Sequence, residues 1–146
     1  MDVEKEKGNM KMRIIDSHRE DFPDCFSVPL PARLEEIYGG ALDFVVSPEA
    51  TIDRPLVFVN FVMSREGIFN LKDQPGGGPI SQGNTSDAFT MALLRSYADG
   101  VMVGASTLRS EPEHLWTSDF IFDVFGHMKG FGDVREDFRQ WRKSEK

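Results

Sequence analysis

The stretch from Leu56 to Met63 constrains this chain more than any other. It reads Leu-Val-Phe-Val-Asn-Phe-Val-Met, apolar at every position but one. Eight residues rich in β-branched and aromatic side chains suit a pleated surface better than a helix. Apolar character on both faces calls for cover on both, which is the mark of a central strand in a parallel α/β sheet. Further on the period changes. Phe89, Ala92, Leu93 and Tyr97 form an i, i+3, i+4, i+8 stripe on a helix running from Thr85 to about Ala98. Thr85, Ser86 and Asp87 are its N-cap candidates. Asp99-Gly100 ends it, and Val101-Met102-Val103 reads as a second short buried strand. Strand, crossover helix and strand make a right-handed βαβ unit, so the fold class is α/β.

The flanks are read more locally. Residues 1–24 are polar, charged and aperiodic, expected as a flexible tail before a domain over residues 25–146. Ala32 to Tyr38 carries Leu34, Ile37 and Tyr38 on one helical face and stops at Gly39-Gly40. Asp43 to Val46 reads as a short strand, Pro48 to Pro55 as a linker, and Leu71 to Gly83 as a loop around Gly76-Gly77-Gly78-Pro79. Trp116 to Phe131 is rich in aromatics without an assignable period. Asp133 to about Glu145 reads as a terminal helix, with Asp133 as cap and Glu136 at the capping-box position. Its apolar face, Val134, Phe138 and Trp141, has little obvious core to meet.

Composition excludes several functions. Seventeen basic residues stand against 24 acidic ones, a formal charge of −7. That balance argues against nucleic acid and against anionic membrane, so an anionic ligand needs a local exception to the overall field. Cys25 is the only cysteine, which leaves no internal disulfide and no multi-cysteine zinc site. No metal is expected. No apolar run reaches the roughly 18–20 residues that span a bilayer. Residues 1–8 mix acids and lysines without the hydrophobic core of a secretory signal, and the expected location is cytoplasmic.

Chemistry can reside in three places. Gly104-Ala105-Ser106-Thr107 follows the second strand; it is either a helix start open to an anion or a tight turn with a threonine cap. It is neither a dinucleotide G-x-G-x-x-G nor a P-loop. Ser64-Arg65-Glu66-Gly67 ends the main strand, where Glu66 could hold a ligand amine or position a proton, or the four residues could be a plain β-turn. Arg95 lies on the crossover helix and, on its own, reads as an exposed arginine with a packed stem. Asn60, the polar interruption of the strand, reads alone as a satisfied core amide.

Together these residues resemble a family. Arg54-Pro55-Leu56-Val57-Phe58-Val59-Asn60-Phe61-Val62-Met63-Ser64-Arg65-Glu66-Gly67 is similar to the R-P-Y-V-x-x-N/K-x-A-x-S-x-D-G opening of the riboflavin-biosynthesis pyrimidine reductases. These also form the C-terminal reductase domain of the bacterial bifunctional deaminase-reductase. Leu94-Arg95-Ser96-Tyr97-Ala98-Asp99-Gly100-Val101-Met102-Val103-Gly104-Ala105-Ser106-Thr107-Leu108-Arg109-Ser110-Glu111 is similar to their L-R-A-x-A-D-A-V-L-V-G-A-G-T-V-R-A-E. The likeness runs from about Leu30 to Pro112.

The resemblance implies a dihydrofolate-reductase-like fold, a mostly parallel sheet with crossover helices. It implies NADPH-dependent reduction of the ribosyl group of a 5-amino-6-ribosylamino-pyrimidine (phosphate) intermediate to ribityl. Position by position, Thr107 and Glu111 match contacts to NADP, and Val62 matches a strand position against the cofactor. Arg95 matches a substrate-binding arginine, where a guanidinium fork suits the substrate phosphate. Ser81 falls in a loop lining both ligands, Asn60 lies at the ligand face, and Glu66 takes the catalytic position, orienting or polarising the substrate. The isolated readings of Asn60 and Arg95 are thereby reversed.

Departures bear on this. Glu66 stands for the family's Asp, Ser106 for a Gly, and Arg65 for an apolar residue. The family's further strands, second Gly-rich loop and late acidic residue have no counterpart after Pro112. The chain is therefore expected to hold only the N-terminal half of the domain, as a truncated form, and to self-associate or be completed by another chain. Two other functions compete: a non-catalytic remnant binding a nucleotide or partner, and a dihydrofolate-reductase-type enzyme. Leu94 to Glu111 favours the pyrimidine branch over the second.

Overall fold

A glycine settles the first helix. Gly39 takes φ 96°, a left-handed backbone that favours glycine, and its N–H closes the helix on the Glu35 carbonyl at 2.8 Å. In this computed structural model the described residues are 25–45, 55–68, 71, 78–127 and 130–144. The expected tail over residues 1–24, most of the linker and the first two glycines of the Gly76 run lie outside them. The chain divides into two compact units, Met1–Val59 and Asn60–Lys146.

In the first unit, β1 (Cys25–Val28) pairs antiparallel with β2 (Leu42–Val45), and α1 (Ala32–Tyr38) connects them. The register sets Phe26 opposite Phe44, Ser27 opposite Asp43 and Val28 opposite Leu42. Ser27 donates its hydroxyl to the Asp43 carboxylate across the pair. Val28, Leu30, Leu34, Leu42 and Phe44 are buried together, with the Phe44 and Phe58 rings 4.9 Å apart. The α1 helix has the bounds read from sequence. β2 begins one residue earlier than expected, with Val46 outside the described residues, and β1 is a four-residue element beside a polar stretch that the sequence pattern did not announce.

The second unit is helical. It contains α2 (Gly78–Ser81), α3 (Thr85–Tyr97), α4 (Ala105–Ser110), α5 (Ser118–Phe125) and α6 (Arg135–Ser144), the last entered through a 3-10 turn at Gly132–Val134. The expected α3 stripe is buried at Phe89, Ala92 and Leu93. Its N-cap is Asn84, whose side-chain oxygen accepts the Ser86 N–H at 2.8 Å, rather than any of the three residues after it. Thr117 caps α5 in the same way through the Phe120 N–H at 3.2 Å. The α6 face is Val134, Phe138 and Trp141, as expected, but it is well covered. Phe138 lies 5.3 Å from both Phe89 and Phe122, and Trp141 stacks on Tyr97. The partner missing from the sequence reading is α5, drawn from the aromatic stretch with no assignable period. Arg135 and Arg139 both bind Asp119 at 2.9 Å and clamp α6 to α5.

The class is mixed α/β, but its sheet differs from expectation. Among the described residues the sheet is two-stranded and antiparallel. Leu56 to Met63 belongs to no ladder, and Val57, Val59 and Phe61 are 68%, 79% and 67% exposed. Val101 to Val103 is likewise outside any ladder, with Met102 89% exposed. The physical reason lies in α3. A crossover helix turns its apolar stripe onto the sheet it serves, whereas here α5 and α6 occupy that stripe. A strand is a pairwise structure, and sequence composition alone does not supply its partner. No helix among the described residues is long and apolar enough to cross a membrane.

Candidate functional site

The candidate site forms where α3 leaves the helical core. Phe89, Ala92, Leu93 and Ser96 face inward, which sets Arg95 on the shoulder of the helix, half-buried. The chain then turns through α4. The Thr107 carbonyl accepts the Glu111 N–H at 3.0 Å, and the Glu111 carbonyl accepts the His114 N–H at 3.1 Å. These two bonds bring Glu111 and His114 to the same side, with His114 Nδ1 2.9 Å from Glu111 Oε2. His114 Nε2 lies 3.3 Å from Arg95 Nη1. The Arg95 guanidinium carbon sits 5.1 Å above the Trp116 ring, within cation–π range. The His114 ring packs on Trp116 at 4.2 Å and on Phe120 at 4.4 Å.

Charges are arranged around this arginine. Burial pulls Arg95 below the usual guanidinium value, opposed by the fields of Glu111 and Asp87. Burial pushes Asp87 up, opposed by its hydrogen bond with Ser81 and by Arg95. His114 is held below the ordinary histidine value, first by burial and then by Arg95, against the pull of Glu111. A cleft of about 250 Å³ opens beside the guanidinium, lined by Arg95, Asp99, Gly100, Val101, Trp116 and Thr117 among others. The indole N–H of Trp116 is buried without a hydrogen-bond partner among the described residues.

The residues singled out from sequence divide into two groups. Arg95 is the centre, Glu111 reaches it through His114, and the Ser81 hydroxyl donates to the Gly78 carbonyl at 3.2 Å. Thr107 is half-buried and supports the turn with its backbone carbonyl. Asn60, Val62 and Glu66 are elsewhere: Asn60 and Glu66 are exposed, Val62 is half-buried, and no hydrogen bond or ion pair joins them to Arg95. Glu66 sits in a turn where the Gly67 N–H bonds the Ser64 carbonyl at 3.0 Å, with Gly67 at φ 86°. There the β-turn reading of Ser64 to Gly67 describes the backbone.

Sequence reasoning missed Asp87, His114 and Trp116 as site residues. Asp87 was visible only as a cap candidate. The i, i+3 spacing of Glu111 and His114 was a usable signal, but nothing local connects either to an arginine far back on another helix. Among the described residues no group of three acidic, histidine or cysteine side chains is placed to hold a metal ion. No family model, curated protein or solved structure matches the chain.

Proposed function

We propose that the chain is a reductase of the pyrimidine-reductase type, acting with NADPH on the ribosyl group of a phosphorylated ribosylamino-pyrimidine. The observation that carries the reading is the half-buried Arg95, seated on Trp116 at the rim of a cleft, at the position where the Leu94 to Glu111 motif places a substrate-binding arginine. A chain of net charge −7 needs a local cation of this kind to hold a phosphate. Arg95 would take the substrate phosphate through its planar fork. The half-buried Trp116 lines the same cleft and adds aromatic surface for a heteroaromatic ring.

The cofactor residues are compatible with a phosphorylated dinucleotide. A Cβ on Gly100 would touch nothing within 4 Å, and one on Gly104 would meet only the Ser106 hydroxyl at 3.9 Å, so the backbone there is open to close approach. Ser106 and Thr107 add hydroxyls, and Arg109 adds an exposed cation. When bound, NADPH supplies the hydride. The protein's part is binding and orientation: Thr107 and Glu111 at the cofactor, Val62 as an apolar wall, Asn60 and Ser81 at the substrate, and Glu66 orienting or polarising the sugar.

The proposal extends to the fold and to partners. In the assembled enzyme Leu56 to Met63 and Val101 to Val103 would enter a dihydrofolate-reductase-like, mostly parallel sheet. The exposure of Val57, Val59, Phe61, Met63 and Met102 supports a second copy or a complementing chain as the source of cover. A cytoplasmic location completes the reading. The same exposure favours one alternative, a non-catalytic chain that binds a nucleotide or partner. The test is NADPH oxidation with the ribosylamino-pyrimidine phosphate, with wild type and Arg95→Lys side by side. Turnover that falls in the variant through a raised KM supports the reading. Absence of both turnover and saturable NADPH binding in the wild type refutes it.

A further inference from the structure

We propose that His114 is a positioning residue for Arg95, oriented by Glu111, and that its protonation breaks the bond through which it positions the arginine. The description of Arg95 as the phosphate-holding group rests on the function proposed above; the Glu111–His114–Arg95 linkage rests on geometry alone. A carboxylate only accepts, so the 2.9 Å approach of Glu111 Oε2 requires the proton on His114 Nδ1. A neutral imidazole carries one proton, which leaves a lone pair on Nε2. That lone pair faces Arg95 Nη1 at 3.3 Å, and the guanidinium donates to it. Carboxylate, imidazole and guanidinium thus alternate acceptor, donor, acceptor, donor along one line. Trp116 and Phe120 fix the ring plane, and Trp116 also lies beneath the guanidinium, so both groups are set against one aromatic floor.

The arrangement has a sign with pH. Among the described residues, the charged or titratable groups facing His114 are Arg95, with Asp87 beyond it on α3, and Glu111 on its own segment; Asp99 lines the cleft at the end of α3. The rings of Trp116, just before α5, and of Phe120 on α5 also meet the imidazole, and both are uncharged. Burial and the arginine keep the imidazole neutral at neutral pH, so the bond to Arg95 is intact there. As pH falls through the depressed value, Nε2 gains a proton and confronts the Nη1–H, and the bond is lost. Glu111 keeps its hold on Nδ1, so the ring stays in place while its bond to the arginine is gone.

Imidazole nitrogen NMR on the full chain tests this without reference to activity. The wild type is expected to show the Nδ1–H tautomer and a midpoint below the ordinary histidine value. Removing the cation in Arg95→Gln raises that midpoint, and Glu111→Gln, at a half-exposed position, lowers it. With inorganic phosphate as probe at a fixed pH above neutrality, His114→Phe keeps the ring but loses the acceptor. It should weaken binding about fivefold, the size of one lost hydrogen bond, and His114→Gln should restore most of it. A His114 midpoint unmoved in both Arg95→Gln and Glu111→Gln overturns the linkage. Phosphate affinity unchanged in His114→Phe overturns its positioning role. Normal coupling in a chain that never oxidises NADPH would instead sink the reductase reading and leave this linkage standing.

Discussion

Phe138→Ala is the substitution that most directly tests how α3 is held, and with it the placement of Arg95. Phe138 is 2% exposed, and its ring meets Phe89 of α3 and Phe122 of α5, each at 5.3 Å, and Trp141 at 6.5 Å. Truncation removes a whole ring from between two others, and rigid aromatic neighbours collapse poorly into the space. Phe→Ala changes in cores cost about 3–5 kcal/mol, and loss of the two closer ring pairs points to the upper part of that range, about 4–5 kcal/mol. A domain of this size has roughly 5–15 kcal/mol of stability in all, so the variant should lose about a third of it or more. Urea denaturation followed by tryptophan fluorescence reads the change, because Trp141 lies in the same core. The control is Val57→Ser, at a 68% exposed position, which should move the midpoint by less than about 0.5 kcal/mol. If Phe138→Ala costs no more than this control, the helical core described above is not what holds the second unit.

Four further outcomes are expected. Asn84→Ala removes the α3 cap and should cost about 1 kcal/mol in the same urea assay. Burial pushes the Asp119 carboxyl up, but the hydrogen bonds from Arg135 and Arg139 outweigh it and hold it below the ordinary 3.8. Its contribution is therefore complete above that value and lost as pH falls through the depressed one, and at half exposure Asp119→Asn should cost only about 0.5–1 kcal/mol at neutral pH, by denaturation across a pH series. Thr107→Val should weaken NADPH binding by about 1–2 kcal/mol while leaving the urea midpoint in place, and equal affinities by fluorescence titration would remove Thr107 from the cofactor site. Light scattering should find the wild type above the mass of one chain, and Phe61→Lys, placing a charge on the exposed apolar run, should shift it toward a single chain.

What could be read from sequence follows the range of the forces involved. Ala32 to Tyr38 was legible because its terminator, Gly39, and its stripe are both local. The α3 stripe and the α6 face were legible for the same reason, down to Phe89, Leu93, Phe138 and Trp141. Leu56 to Met63 misled because its composition states a preference for pleated pairing without stating a partner. α5 was hidden by its richness: with Phe120, Ile121, Phe122, Val124 and Phe125 apolar, no face stands out. Thr117 before Ser118-Asp119 was nevertheless a usable start signal. At the candidate site, Arg95 and Glu111 were singled out through the motif and Ser81 through the loop before α3. His114 and Trp116 were not, because their approach to Arg95 depends on how the turn after α4 folds back.

That return explains how an acidic chain can present a cation at all. Alone on the shoulder of α3, Arg95 would lose solvation to the core with nothing to offset it, and burial already lowers its guanidinium value. Asp87 and Glu111 compensate from two sides, yet a carboxylate placed directly on the guanidinium would also compete with any anionic ligand. Here the Glu111 carboxylate meets the imidazole instead, and acts on Arg95 only through the field. The imidazole supplies a neutral acceptor, which satisfies an N–H without cancelling the charge. A neutral acceptor and an aromatic face are two contacts that offset the burial of a guanidinium without adding a negative charge to it. Exchanging His114 for an acid would satisfy the same N–H but set a charge directly against the guanidinium, which the neutral imidazole does not.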